Sequence, residues 1–333
     1  LKLMIAYICN NYIIKYEMVL KQLFQKREAD FDSMKHLLGI KQLSAEDIFA
    51  ILDRAEAMKK DVLQAGKKDS CLSGKCVITL FYENSTRTRL SFELASKYLG
   101  ATAANITASG SSVVKGETLA DTGKTIDEMG ADVVVIRHSA SGAPHMLSNY
   151  TKASVVNAGD GMNEHPTQAL LDFMTMREKF GGFEGLKVSI VGDVKHSRVA
   201  RSNIYGLKKL GADVTVCAPH TLMPAEIERL GVTVTQDADS AVHNADVIMC
   251  LRIQLERQKS GLFPSVREYH RLFGINNRRV ALAKPDAIIM HPGPVNRGVE
   301  LSADVADGPQ SVIGGQVTNG VCVRMAVLDM LTH

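Results

Sequence analysis

Residues 77–99, VITLFYENSTRTRLSFELASKYL, decide the fold, because an apolar β-rich run passes directly into a helical pattern. We predict a strand over residues 77–82 and a helix over residues 89–99. Three hydroxyls and two guanidiniums lie between Ser85 and Arg89, more than the capping of a helix requires. The backbone N–H groups and positive dipole of a helix start favour phosphate, and Arg87 adds bidentate contacts to its oxygens. The sequence therefore predicts a phosphate site at this junction, with Arg87 pointing inward and Arg89 serving the structure.

The same alternation of strand and helix continues along the rest of the chain. Further strands are predicted over residues 102–106, 133–136, 154–157, 187–191, 213–217, 246–251 and 287–290. Helices are predicted over residues 48–60, 118–129, 167–180, 198–210 and 320–331, the first of them capped by Ser44. Such alternation is typical of parallel sheets with helices on both faces. We therefore predict an α/β fold of two doubly wound parallel-sheet domains, with the active site in the cleft between the domains.

The chain is expected to divide into four parts. We predict an N-terminal extension over residues 1–33, a first domain over 34–166, a second domain over 167–318, and a C-terminal helix over 319–333 that returns to the first domain. Polar and charged side chains interrupt the apolar patches of residues 1–20, so we expect neither a membrane-spanning helix nor a signal peptide. The regular pattern begins near Met34, which we expect to lie close to the natural start. The alternative is an extra helix packed on the first domain.

Composition narrows the class of partner. The 39 Lys and Arg residues exceed the 36 Asp and Glu residues by only three, so neither nucleic acid nor a membrane surface is an expected partner. The six cysteines are scattered, and none is paired at the spacing of a zinc or redox motif. Scattered thiols of this kind are typical of a reducing compartment, so we expect the protein to be cytoplasmic.

Basic and polar residues follow the predicted strands in both halves of the chain. These segments are residues 85–89, 137–138, 165–168, 195–198, 252–254 and 291–294. Ligands of open α/β sheets bind beyond the carboxyl ends of the strands. The pattern therefore predicts a cleft that binds a small, strongly anionic ligand.

Several of these segments together resemble one known family. Residues 85–89 (STRTR), 111–118 (SSVVKGET) and 165–168 (HPTQ) resemble the motifs of the aspartate/ornithine carbamoyltransferases. Residues 115–118 (KGET) and 291–297 (HPGPVNR) resemble the aspartate branch of that family, and the similarity runs from about Met34 to the C-terminus. The resemblance implies that the carbamoyl group of carbamoyl phosphate is transferred to L-aspartate, an early step of pyrimidine synthesis.

The resemblance also implies a homotrimer whose active sites are shared between subunits. Trimers alone and a larger assembly with regulatory chains or a dihydroorotase are both compatible with the sequence. Because an amine can attack the carbamoyl carbon directly, the reaction requires no covalent enzyme nucleophile. We therefore expect no metal and no cofactor, with positioning and electrostatics supplying most of the acceleration.

The resemblance assigns roles at the donor. Residues expected to bind carbamoyl phosphate are Ser85, Thr86, Arg87, Thr88, Ser111, Arg137, His165, Gln168, Gly293 and Pro294. Within this set Arg137 bridges the phosphate and the carbonyl oxygen, and His165 donates to that oxygen as negative charge develops on it. Gln168 and the backbone carbonyls around Pro292 and Gly293 hold the carbamoyl amide. The residues expected to be catalytic are His165, Arg87, Thr88, Arg137 and Lys115.

The acceptor is expected in the second half of the chain. Aspartate carries two carboxylates, and arginine binds carboxylate with two parallel hydrogen bonds. The resemblance places Arg198 near the α-carboxylate, and Arg252 with Gln254 at the side-chain carboxylate. The loop that carries Ser111 and Lys115 is expected to enter the site of the neighbouring subunit, where Lys115 also contacts aspartate.

Three alternatives compete with this interpretation. Ornithine as acceptor would require a carboxylate where Arg252 stands. The ornithine branch also favours Cys-Leu-Pro after the late histidine, whereas Pro-Gly-Pro follows His291 in this chain. A non-catalytic anion-binding protein of the same fold would lack His165 or Lys115, and both are present. A nicotinamide-dependent dehydrogenase is disfavoured because residues 192–195, GDVK, lack the glycine fingerprint of a dinucleotide site.

Overall fold

Two parallel β-sheets organise residues 34–66, 69–107, 116–253 and 265–332, which are the residues that the computed structural model describes. The first sheet contains β1 (Cys76–Phe81), β2 (Thr102–Thr107), β3 (Val133–His138) and β4 (Ser154–Asp160). The second contains β5 (Lys187–Val191), β6 (Asp213–Cys217), β7 (Thr233–Thr235), β8 (Val247–Cys250) and β9 (Ile288–Met290). All neighbouring strands pair in parallel.

The strand order of each sheet reverses once. The orders are β2-β1-β3-β4 and β7-β6-β5-β8-β9. The chain therefore turns from one side of the sheet to the other between β1 and β3, and again between β5 and β8. A crevice opens at such a switch point beyond the carboxyl ends of the strands, and ligands of open α/β sheets bind there.

Helices cover the sheets. They are α1 (Ala45–Met58), α2 (Thr86–Tyr98), α3 (Leu119–Glu128), α4 (Ala143–Ser148), α5 (Pro166–Phe180), α6 (Arg198–Lys209), α7 (Ala238–Val242), α8 (Val266–Phe273), α9 (Asn277–Val280), α10 (Ala303–Ala306) and α11 (Ile313–Met330). A π-helical turn, Lys59–Gln64, continues α1. Among the described residues, no helix combines the length and the apolar composition needed to cross a lipid bilayer.

The predicted cap of α1 is confirmed. The Ser44 hydroxyl accepts from the N–H of Asp47 at 3.0 Å, and the Asp47 carboxylate accepts from the N–H of Ser44 at 2.8 Å. This reciprocal pair satisfies two N–H groups that an α-helix start leaves without partners. The buried face of α1 then packs against α11.

Helices α2 and α11 begin three and seven residues earlier than predicted. Helix α2 begins at Thr86 instead of residue 89, so Arg87 and Thr88 lie in its first turn. Helix α11 begins at Ile313 instead of residue 320, and the predicted domain boundary between residues 318 and 319 falls inside it. Its first turn contains two glycines, which are weak helix formers, so the sequence pattern does not predict a helix at these residues. Two buried amides hold this part of the helix: Gln316 donates to Asp172 at 2.7 Å, and Asn319 donates to Thr175 at 3.0 Å.

Helices α5 and α11 join the two halves of the chain. Helix α5 follows β4 and packs against α1 and α6, whereas α11 packs against α1, α2 and α5. Eleven consecutive residues of α5, 166–176, are buried, so this helix has no solvent face over its first three turns. The largest hydrophobic cluster contains residues of both sheets. The two separate parallel sheets, each with its own switch point, confirm the prediction of two parallel-sheet α/β domains.

Candidate active site

A cleft of about 790 Å³ lies beyond the carboxyl ends of the strands of both sheets. The sequence-predicted site residues that line it are Ser85, Thr86, Arg87, Thr88, Arg137, His165, Gln168, Arg198, Arg252, Gly293 and Pro294. They lie at or beyond the carboxyl ends of β1, β3 and β4 in one sheet and of β5, β8 and β9 in the other, so both switch points contribute. The other three predicted residues, Ser111, Lys115 and Gln254, lie outside the described residues.

The start of α2 forms one wall of the cleft. Ser85 occupies the N-cap position, but its side chain makes no capping hydrogen bond, and the first turn contains no acidic residue. The N–H groups of this turn and its positive dipole therefore favour an anion. Thr88 in this turn is buried, and Arg89 does not line the cleft.

Arg87 lies against the backbone of Gly293 on the opposite wall. A Cβ at Gly293 would approach the Cζ of Arg87 to 2.8 Å, and the φ of Gly293 is +64°. A residue with a side chain would be strained at this position and would displace the guanidinium. Burial and the charge of Arg252 lower the pKa of Arg87. The two arginines therefore repel each other, and an anion between them is favoured.

Glu83 joins the two halves of the cleft, and the sequence analysis assigned it no role. Its Oε2 accepts from Nη2 of Arg198 at 2.8 Å and lies 3.5 Å from Nε of Arg137. Arg137 also donates to the carbonyl of Ala158 at 3.2 Å, and Arg198 to that of Gly161 at 3.3 Å. The carboxylate thus holds one arginine from each sheet. The available signal was that Glu83 is the one acidic residue in ENSTRTR, residues 83–89.

Positive charge dominates the remaining walls. None of the described residues that line the cleft is Asp or Glu. Arg324 of α11 is a further lining residue that the sequence analysis did not identify; it donates to Ser91 at 2.9 Å and to the carbonyl of Gly320 at 2.8 Å. Burial lowers its pKa to about 10, because desolvation disfavours the charged form. The cleft is therefore built for ligands that carry several negative charges.

His165 occupies the N-cap position of α5 and is only 4% exposed. Its backbone N–H donates to Oγ of Ser202 at 2.9 Å, and that hydroxyl donates to Glu164 at 2.9 Å. Burial is the largest cause that lowers the pKa of His165 well below its usual 6.5, and the charges of Arg137, Arg198 and Arg324 act in the same direction. The imidazole is therefore neutral at physiological pH, and it carries one N–H donor.

The segment that follows β9 forms the last wall. The ring of His291 is buried; its Nδ1 accepts from the N–H of Gly293 at 2.7 Å, and its Nε2 lies 3.2 Å from Oε1 of Glu300. Because Nδ1 accepts, Nε2 carries the proton and donates to Glu300. These bonds fix the backbone of residues 291–294 against the cleft.

Comparisons with known proteins agree with this geometry. Residues 35–178 match the sequence model of the aspartate/ornithine carbamoyltransferase carbamoyl-P binding domain. Residues 184–331 match that of the Asp/Orn binding domain. The aspartate carbamoyltransferase catalytic subunit of Ruminiclostridium cellulolyticum is 64% identical over 299 residues, which cover 90% of this chain and 96% of the relative. That of Acetivibrio thermocellus is 65% identical over the same length and the same shares.

Solved structures of both branches are similar to this fold. Aspartate transcarbamoylase from Trypanosoma cruzi, in complex with carbamoyl aspartate and phosphate, has a TM-score of 0.81 at 33% identity and covers 90% of this chain and 97% of that one. Ornithine carbamoyltransferase from Pyrococcus furiosus gives the same four values. Structural likeness therefore does not separate the branches, whereas the high identities are to aspartate carbamoyltransferases. Both halves of this chain match, and the chain belongs to the aspartate/ornithine carbamoyltransferase family of transferases.

Proposed function

We propose that this chain transfers the carbamoyl group of carbamoyl phosphate to the amine of L-aspartate, which gives N-carbamoyl-L-aspartate and phosphate for pyrimidine biosynthesis. The observation that carries the proposal is the single cleft into which both sheets direct arginines and which no described acidic residue lines. Both substrates are anions that repel each other in water, and this cleft offsets that repulsion while holding them together.

The donor is proposed to bind at the first sheet. Ser85, Thr86, Arg87 and Thr88 bind its phosphate, because the first turn of α2 offers N–H groups, hydroxyls and a guanidinium to one small volume. Arg137 bridges the phosphate and the carbonyl oxygen. Arg87, Thr88 and Arg137 thereby stabilise the leaving phosphate and the polarised carbonyl group.

His165 is proposed to stabilise the transition state. As the amine attacks, a C–N bond forms, the carbonyl oxygen gains negative charge, and the bond from carbon to the phosphate oxygen then breaks. A neutral imidazole already carries the N–H that donates to that oxygen, so its protonation state does not have to change before the reaction. Burial of His165 excludes the competing hydrogen bonds of water.

The acceptor is proposed to bind at the second sheet. Arg198 contacts the α-carboxylate, and Arg252 with Gln254 contacts the side-chain carboxylate. Arg198 and Arg252 follow β5 and β8, the two strands at the switch point of this sheet. The cationic end of ornithine would face Arg252, so the charge of the cleft favours aspartate.

We further propose a cytoplasmic homotrimer. The five cysteines within the described ranges form no disulfide, which is typical of a reducing compartment. In the trimer, the loop that carries Ser111 and Lys115 completes the cleft of a neighbouring subunit. The name of the close relatives, catalytic subunit, supports a larger assembly with regulatory chains or a dihydroorotase.

The chain is proposed to divide as its pattern indicates. Residues 34–166 form the carbamoyl-phosphate-binding domain, residues 167–318 form the aspartate-binding domain, and residues 319–333 return to the first domain. Gln168, Gly293 and Pro294 reach the donor from the second domain. The packing of α11 against α1 and α2 supports the last assignment.

Replacing His165 with alanine tests its proposed role. We expect His165→Ala to lower kcat by about 10²–10³, because one donor to a developing oxyanion is lost. The dissociation constant of carbamoyl phosphate should change far less. Steady-state rates and donor binding measure the two effects, and His220→Ala, which removes an exposed imidazole outside the cleft, is the control. Equal losses in binding and turnover would make His165 a ground-state contact only.

Replacing Arg252 tests the placement of the acceptor. We expect Arg252→Ala to raise the KM for aspartate by roughly 10- to 100-fold, since a charged hydrogen-bonded contact contributes about 1.5–3 kcal/mol. Initial rates of N-carbamoyl-L-aspartate formation at varied aspartate, together with donor binding, measure this effect. Arg229→Ala is the control, because the Arg229 side chain is 77% exposed. A collapse of donor binding with unchanged aspartate dependence would contradict the assignment.

Mixing two inactive variants tests the shared site. Lys115→Ala and His165→Ala proteins are dissociated, mixed in equal amounts and reassociated. In a closed ring about three-quarters of the trimers are mixed and each has one intact site in three, so activity should approach roughly one quarter of wild type.

Each variant dissociated and reassociated alone is the control for this experiment. Background activity, with mixed trimers verified by mass, would place Lys115 and His165 in the site of one subunit.

A further inference from the structure

Asp172 is a buried carboxylate directly behind the cleft. It lies one helical turn after Gln168 on α5 and has no solvent exposure. Three amide side chains donate to it: Gln168 at 3.0 Å, Asn203 of α6 at 2.8 Å and Gln316 of α11 at 2.7 Å. Three helices thus direct amides at one carboxylate. A buried carboxylate requires such donors, which any buried amides could supply. Two of these three amides, those of Gln168 and Gln316, also line the cleft.

The carboxylate fixes which end of the Gln168 amide faces the cleft. An ionised carboxylate only accepts hydrogen bonds, so only the NH₂ end of an amide can face it. The carbonyl oxygen of Gln168 is therefore held at the other end of the amide, toward the cleft that this residue lines. Without Asp172 the two ends would exchange at little cost. The Gln168 amide would then present its NH₂ group to the cleft as readily as its carbonyl oxygen.

The same carboxylate orients a second wall through Gln316. The Gln316 NH₂ donates to Oδ1 of Asp172, the oxygen that also accepts from Gln168, whereas Asn203 donates to Oδ2. The remaining end of the Gln316 amide, its carbonyl, accepts from the backbone N–H of His291 at 3.0 Å. His291 begins the segment whose Gly293 lines the cleft. Both walls thus depend on one oxygen atom of Asp172.

We propose that Asp172 is a positioning residue that makes the cleft selective for an acyl phosphate with an NH₂ group on its acyl carbon. It does so by holding hydrogen-bond acceptors, and not donors, toward that group from Gln168 and from residues 291–294. The inference rests on the proposed function for the identity of the donor. It adds how the chain distinguishes carbamoyl phosphate from acetyl phosphate, which has a methyl group where the carbamoyl group has NH₂.

The protonation state of Asp172 matters for this orientation, because a protonated carboxyl group could also donate a hydrogen bond. Burial raises the pKa of Asp172 to about 7, and the hydrogen bonds from the three amides and the charge of Arg324 oppose that rise. The carboxylate and the amides therefore stabilise each other. Measurements at about pH 8.5, well above that pKa, keep the carboxylate ionised.

The test compares the binding of carbamoyl phosphate, acetyl phosphate and inorganic phosphate without an acceptor. Asp172→Ser replaces the acceptor-only group with a hydroxyl that both donates and accepts. We expect the preference for carbamoyl over acetyl phosphate to fall at least about tenfold, which corresponds to ~1.4 kcal/mol. The affinity for inorganic phosphate should stay within about threefold of wild type, because the start of α2 is unchanged.

Two matched variants separate orientation from general disturbance of this buried network. Asp172→Asn keeps an amide oxygen at the Oδ1 position, so the preference should stay within about threefold of wild type. Asn203→Ala removes the donor to Oδ2 and leaves both bonds to Oδ1, so the preference should again be retained. Thermal unfolding of each variant measures its stability independently of ligand preference.

Several outcomes would overturn the proposal. They are a wild type that binds the two acyl phosphates equally, an Asp172→Ser protein that weakens both by the same factor, and an Asp172→Ser protein that weakens neither. If Asp172→Ser does not fold, Gln316→Met decides, because it breaks the link to His291 and leaves Asp172 in place; an unchanged preference then overturns the proposal. Failure of the wild type to carbamoylate aspartate would refute the proposed function. The binding comparison uses no acceptor, so it would still test the role of Asp172.

Discussion

The rest of the site depends on one carboxylate shared between two arginines. Glu83 follows β1, Arg137 is the penultimate residue of β3, and Arg198 begins α6 after β5, so the contact joins the switch points of both sheets. Two largely buried guanidiniums of the same charge would repel each other across the cleft without it. Removing one partner of such a buried pair typically costs about 3–5 kcal/mol, because the other charge is left uncompensated. The carboxylate therefore holds the two sheets at a distance at which one small cleft serves two substrates.

Glu83 offsets only part of the positive charge. The pKa of Arg87 is lowered by burial and by Arg252, and the pKa of Arg324 is lowered to about 10 by burial. The repulsion between Arg87 and Arg252 indicates that the described residues do not balance the charge of the cleft. An anion bound there relieves the same repulsion, so the electrostatic energy stored in the fold becomes binding energy for phosphate and carboxylates. His165, kept neutral in these surroundings, is the proposed donor to the carbonyl oxygen as the negative charge on that oxygen grows.

Local sequence patterns predicted the parts of the fold and site that neighbouring residues encode. The strands appear as apolar runs, and the residues proposed to bind phosphate stand together in STRTR, residues 85–89. Contacts between residues far apart in the sequence could not be predicted from local patterns. Glu83 contacts Arg198, 115 residues later, and Asp172 contacts Gln316, 144 residues later. Strand β7 has three residues at the edge of its sheet and was missed for lack of an apolar run. Ser111, Lys115 and Gln254 lie outside the described residues, and their roles remain predictions.

The central claim is that this cleft is built for two anions. The most direct test measures the wild-type rate of carbamoyl transfer from carbamoyl phosphate, with L-aspartate and L-ornithine offered separately. The account predicts that kcat/KM for aspartate exceeds that for ornithine by at least about 10³-fold, since a cation facing Arg252 costs several kcal/mol. Carbamoylation of ornithine at an equal or higher kcat/KM would contradict it.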